Sequence, residues 1–154
     1  MNDTLNIRPA RGDDAEARSL LEEYFADRAR SWTDPRGSYS RRPADFSDGV
    51  ILVVEMGGQP VGIGGLREVP SPMGEWWEVK HMYVRAHVRR TGIARMLLAA
   101  LEGEARNRGA TDLVLDTHHS LVGAINLYQS AGFVETRAFN KNPNATQWFR
   151  KRLT

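Results

Sequence analysis

The stretch from Glu78 to Arg95, EVKHMYVRAHVRRTGIAR, carries the residue types of an anion site. Gly92 and Ala94 have almost no side chain, so an anionic group can approach the main chain closely, and Arg89, Arg90 and Arg95 place guanidinium charge around the same point. Thr91 offers a hydroxyl beside them. An apolar-rich alternating run, Val79 to Val84, precedes this basic segment and a helical pattern follows it, which reads as a strand, a cationic turn and a helix N-terminus. The first turn of a helix leaves backbone N–H groups unpaired at the positive end of the summed peptide dipoles, and a diphosphate fits there. Read without that ligand, the same residues form a basic turn that joins a strand to a helix.

The elements that must hold this junction can be read on either side of it. Leu5 and Ile7 alternate with polar residues as a short strand ended by Arg8-Pro9. Asp13 or Asp14 then caps a helix over Ala15 to Arg30, whose residues Ala17, Leu20, Leu21, Tyr24 and Phe25 share one face. Val50 to Met56, Gly57-Gly58 and Gln59 to Arg67 form a hairpin, and Gly62, Gly64 and Gly65 either weaken its second strand or let something approach the backbone. Past the junction, Ile93, Ala94, Leu97, Leu98, Leu101 and Ala105 carry a helix to Asn107 and Gly109, and Leu113-Val114-Leu115 is a short buried strand. Strand, helix, strand is a right-handed unit with its ligand end at the carboxyl edge. A third helix begins at Ala124 and stops near Ala131-Gly132, Phe133-Val134 starts another strand, and Thr146 to Arg152 alternates as the closing one. The segment Ser31 to Ser47, with Trp32, Tyr39, Phe46, Arg36, Arg41 and Arg42, is a loop: a wall of a substrate pocket, or a solvated connection tacked down by its rings.

Two phrases in this chain resemble the GNAT N-acetyltransferases. Met82-Tyr83-Val84 followed by Arg89-x-x-Gly92-x-Ala94 is similar to the family's acetyl-coenzyme A signature, Q/R-x-x-G-x-G/A after a strand ending in an aliphatic-x-Val. Further on, Ala124-Ile-Asn-Leu-Tyr128-Gln-Ser-Ala-Gly132-Phe133 looks like the family's A-x-x-L-Y-x-x-x-G-F segment. The resemblance implies a mixed α/β fold with a central twisted sheet of about six to seven strands flanked by helices, one domain spanning residues 1–154. It implies transfer of an acetyl group from acetyl-CoA to a primary amine of a small molecule or peptide. It places the cosubstrate against Met82, Tyr83, Val84, Arg89, Arg90, Thr91, Gly92, Ile93, Ala94 and Arg95, while Asn126 either bonds the pantetheine arm or lies on the helix surface.

The same resemblance assigns the chemistry. An alkylammonium has a pKa near ~10, so the attacking amine must lose a proton. Glu78 is the expected general base, since a glutamate four residues before the Met82 position has that role in related histone acetyltransferases; read without the resemblance, it is a salt-bridge partner of Lys80 or an exposed charge near the edge. Strand alternation puts Glu78, Lys80, Met82 and Val84 on one face and His81 on the other, which leaves His81 as a packed residue or a second base. Tyr128, protonated at neutral pH, is expected to donate to the departing sulfur, the alternative being a helix tyrosine packed in the core with its hydroxyl satisfied. A backbone N–H near Met82 or Tyr83, where the strand is expected to splay, would meet the developing oxyanion.

Composition excludes several other classes. The chain has 154 residues with 21 Lys and Arg against 19 Asp and Glu, a net charge of +2 that falls short of the basic excess of a general nucleic-acid binder. The absence of cysteine rules out disulfides and thiolate metal sites and fits a reducing compartment. His118-His119 has no evident third ligand, so no metal is expected. The start MNDTLNIRPA lacks a hydrophobic signal core and no apolar run approaches the roughly 20 residues of a membrane span. The expectation is a cytoplasmic protein without nucleic-acid or membrane partners, in which a homodimer through the last strands is open. A non-catalytic CoA-binding module of the same fold is the alternative.

Overall fold

The computed structural model describes residues 4–154. The first three residues of the N-terminal stretch lie outside the described residues. Seven strands form one sheet in the order β1-β2-β3-β4-β5-β7-β6: β1 (Leu5–Ala10), β2 (Val50–Met56), β3 (Gln59–Val69), β4 (Trp76–Val84), β5 (Asp112–Thr117), β6 (Val134–Thr136) and β7 (Gln147–Arg152). Every neighbouring pair is antiparallel except β4 and β5. Three helices cover the sheet: α1 (Ala15–Arg30), α2 (Ile93–Asn107) and α3 (Val122–Ser130). The mixed sheet expected from the sequence is present, with β1 running through Pro9 to Ala10, a placement open to proline on an edge strand.

Helix α1 starts where Asp14 accepts a hydrogen bond from the Ala17 amide at 3.0 Å, and buries Ala17 and Leu20 against Ile51, Val53 and Ile63. On the other face, Leu97, Leu101 and Ala105 of α2 pack with Leu52, Val54, Leu66, Val79, Leu113 and Phe149. Each helix thus removes one apolar stripe from water, the main favourable contribution to folding. The close approach suggested by the β3 glycines is made by the protein's own side chains. A Cβ on Gly64 would lie 2.9 Å from Leu101, and one on Gly65 would lie 2.2 Å from the Phe46 ring.

Two irregularities of β4 create the site. Its pairing with β5 covers only Trp76 to Glu78 against Asp112 to Val114, so beyond Glu78 the two parallel strands part. Against β3, Lys80 pairs with Gly65 and Tyr83 with Ile63, leaving His81 and Met82 opposite the single residue Gly64. This is a β-bulge, and His81 holds it with φ 57°. The bulge overturns the expected alternation. Val79 faces α2, but beyond the extra residue Met82 and Val84 face α2 and His81 and Tyr83 face α1. His81 therefore shares the side of Glu78 and Lys80 instead of opposing them.

Candidate functional site

A cavity of about 1110 Å³ fills the gap between the parted strands. One wall is β4 from Val79 to Val84; the other is the end of β5, Asp116 and Thr117, and His118 just after it, with Ala124, Leu127 and Tyr128 of α3. Tyr24, Phe25 and Arg28 of α1 and Tyr39, Arg42, Pro43 and Ala44 of the long loop line the remaining side. The loop is thus a pocket wall. It is fastened there by Asp34, which holds Arg36 at 2.7 Å and the His118 Nε2 at 2.8 Å, and by hydrogen bonds between Ser40 and Asn144. His118 Nδ1 accepts from both the hydroxyl and the amide of Ser120, so this His118–Ser120 pair shapes the turn into α3.

The mouth is the β4–α2 junction. A short 3-10 turn (Ala86–Val88) intervenes, then Gly92 caps α2 in a left-handed conformation, φ 86°, with no side chain capping the helix. A Cβ on Gly92 would meet nothing within 4 Å, so the space in front of the first helical turn is open. Amides unpaired within the helix, a positive helix end and free volume at one point meet the requirements of a diphosphate. Arg90 is exposed at this mouth, whereas Arg89 donates to the Val84 carbonyl at 2.9 Å and Arg95 to Ser130 Oγ at 2.9 Å.

Tyr128 is buried in the cavity wall against Phe133 and Phe149, and its hydroxyl has no hydrogen-bond partner among the described residues. Burial, then the nearby Asp116 carboxylate, pushes its pKa up to about 12, so the phenol is protonated at neutral pH. Asp116 lines the same cavity, accepts from Asn140 and Asn142, and lies 3.4 Å from Lys80 Nζ. Glu78 does not line the cavity: it is 1 % exposed, accepts from Arg67 Nε at 2.9 Å, and its Oε2 is buried without a hydrogen bond, 3.7 Å from Lys80 Nζ. Burial raises its pKa, opposed chiefly by Lys80.

The family of acetyltransferases named GNAT matches residues 17–133, which covers both the mouth and Tyr128. The chain belongs to the GNAT acetyltransferase family. An N-acetyltransferase of Bacillus subtilis, YhfO, of uncharacterized function, is 29% identical over 139 residues, 88% of this chain and 93% of its own. N-acetyltransferase 8B of Rattus norvegicus is 34% identical over 118 residues, 75% of this chain; the match spans 48% of that protein, so the chain covers about half the length of such mammalian relatives. Among solved structures, a candidate acyl-CoA N-acyltransferase from Klebsiella pneumoniae superposes with TM-score 0.77 at 27% identity, covering 98% of this chain and 99% of the other. The yncA protein of Salmonella typhimurium, solved with its cofactor acetyl-CoA, shares the fold with TM-score 0.73 at 20% identity over 98% and 95% of the two chains.

Of the GNAT residues expected from the sequence, Met82, Tyr83, Val84, Arg89, Arg90, Gly92, Ile93, Ala94, Arg95 and Tyr128 line this cavity. Thr91 does not, because its hydroxyl donates to the Val88 carbonyl. Asn126 is exposed on α3 outside the cavity. Sequence reasoning missed Asp116, Lys80 and Arg28. Asp116 had a signal, since it ends the buried run Leu113 to Leu115 at the carboxyl edge where ligands bind in α/β sheets. Among the described residues no group of three or more His, Asp or Glu is placed to hold a metal, and no helix is long and apolar enough to cross a membrane.

His81 gives this cavity a pH signature. Its Nε2 accepts from the Ala44 amide at 3.0 Å, and burial, with Lys80 and Arg67 adding to it, lowers its pKa from 6.5 to about 3. The unfolded chain therefore binds a proton that the folded chain refuses. The His81 contribution is complete above pH 6.5 and is lost as pH falls from there toward about 3, at up to about 1.4 kcal/mol per pH unit. In His81→Asn, which tolerates the left-handed backbone, urea unfolding measured from pH 7 to pH 4 is expected to lose stability less steeply than wild type. Equal slopes would show that His81 titrates alike in both states.

Proposed function

We propose that this GNAT chain is an acetyl-CoA-dependent N-acetyltransferase that moves an acetyl group to a primary amine of a small molecule or peptide by direct attack. The observation that carries the reading is one cavity with an uncapped helix N-terminus at its mouth and a protonated, partnerless phenol in its wall. Acetyl-CoA, when bound, supplies an acyl group activated as a thioester. The amides of Gly92, Ile93 and Ala94, with Arg90, hold the diphosphate, and the unpaired edge of β4 near Met82 and Tyr83 receives the acyl end.

Asp116 faces the incoming ammonium and Lys80 stands between it and Glu78. The ammonium gives up one proton, which passes through Lys80 to the unpartnered Oε2 of Glu78. The freed nitrogen lone pair forms the bond to the acyl carbon, the carbon–sulfur bond breaks, Tyr128 Oη donates its proton to the departing sulfur, and the second proton of the acylated nitrogen restores the phenol, leaving a neutral amide and a free thiol. Glu78 is thus the general base acting across Lys80, and its raised pKa suits the task better than that of an exposed carboxylate.

Release of free thiol from acetyl-CoA, followed with an amine panel, tests the reading. Amine-dependent release is expected; tight CoA binding with no release for any amine would make this a CoA-binding module. The proton route has its own test. The base works only when ionised, so activity falls as pH drops through its pKa. Glu78→Gln and Lys80→Met are each expected to flatten that acidic limb of kcat/KM, and the double variant to be no worse than either alone. An unchanged profile would send the proton elsewhere.

A further inference from the structure

The proposed reaction leaves Arg28 without a task. It lies in the last turn of α1 and is 7 % exposed, yet no ion pair or hydrogen bond joins its guanidinium to any described residue. The contrast within the molecule is direct. The buried carboxylates Asp34, Glu78 and Asp112 each hold an arginine, at 2.7 Å, 2.9 Å and 2.7 Å. Among the described residues, Arg28 meets the ring faces of Trp32 and Tyr39, at 5.6 Å and 5.8 Å. Burying an unpaired cation is costly, and ring faces offset only part of that cost.

Its position says what would complete it. Arg28 lines the cavity that also contains Tyr128 and Asp116, and the Tyr24 phenol lies within electrostatic reach of all three. The diphosphate site is on a different element, at the start of α2. A second donor without a partner belongs to a residue of the same cavity: His81 accepts the Ala44 N–H on Nε2, which leaves its proton on Nδ1, a buried atom with no hydrogen bond.

We infer that the amine acceptor also carries a carboxylate, and that Arg28 binds this group while Asp116 faces the ammonium. A guanidinium matches a carboxylate through two parallel hydrogen bonds, which fixes the acceptor's orientation as well as its charge. The two ends of such an acceptor are then read by opposite charges on different walls, and its nitrogen is presented on the wall that carries Tyr128. This inference rests on the acetyltransfer reading and narrows its substrate.

The test compares amino acids with their own carboxamides, using α-amino acids and chains that set the carboxylate farther from the amine. Wild type is expected to favour the carboxylate member of the best pair by roughly 10- to 100-fold in kcat/KM, the range of a charge-assisted hydrogen bond. In Arg28→Gln the ratio of carboxylate to carboxamide kcat/KM should collapse toward one, chiefly through a raised KM for the carboxylate member, and Arg28→Lys should restore part of it. Equal use of carboxylate and carboxamide by wild type would overturn the inference, as would a preference that survives Arg28→Gln. Should the variants fail to fold, the wild-type comparison decides alone. Failure to bind acetyl-CoA, or to release thiol with any amine, would instead remove the acetyltransfer reading on which the inference stands.

Discussion

Tyr128→Phe is expected to lower kcat on the order of 100-fold while leaving the fold and the acetyl-CoA Kd close to wild type. The separation of effects follows from the side chain's surroundings. Its ring packs against Phe133 and Phe149, and phenylalanine preserves that contact. Its hydroxyl makes no hydrogen bond among the described residues, so removing it breaks nothing in the resting protein and removes one oxygen from a buried site. What is lost is the proton for the departing sulfur. Single-turnover rates and a thermal unfolding curve measured together check both halves. Full turnover under conditions where chemistry limits the rate would show that the thiolate leaves without this acid.

Ala94→Asp is expected to weaken acetyl-CoA binding on the order of 100-fold without loss of stability. Ala94 lies in the first turn of α2 and lines the cavity mouth. A carboxylate there interacts favourably with the helix dipole, worth about 0.3–1 kcal/mol, so the melting temperature of the free protein should hold or rise. A diphosphate at the same helix end would meet a fixed negative charge, and such a juxtaposition costs several kcal/mol. Calorimetric titration of wild type and variant, with unfolding curves of each, gives both quantities. An unaltered Kd in a folded variant would place the diphosphate away from α2.

Much of this arrangement was legible because it is written in local patterns. The α2 stripe from Ile93 to Ala105 has helical period, and Gly92 before it marks the cap, so the strand, turn and helix around the mouth could be placed residue by residue. The bulge was not legible. Nothing in the run Lys80-His81-Met82-Tyr83 marks an extra residue, since the irregularity depends on Gly64 in the partner strand, and a slip of one residue sends every later side chain to the other face. Asp34 and His118 are 84 residues apart, so their bond, which fixes the loop as a wall, has no local trace. Arg28 has no local mark, being one of several charges in its helix; the folded chain gives it rings as neighbours and, among the described residues, no carboxylate.

The account depends on the first turn of α2 being where a coenzyme's diphosphate is held. Backbone amide shifts followed by NMR during titration with CoA report on that directly. The largest changes are expected at Gly92, Ile93, Ala94 and Arg95, with smaller ones along the unpaired part of β4 from Val79 to Val84. Saturating shifts centred on other elements, or no shifts at millimolar CoA, would contradict the account.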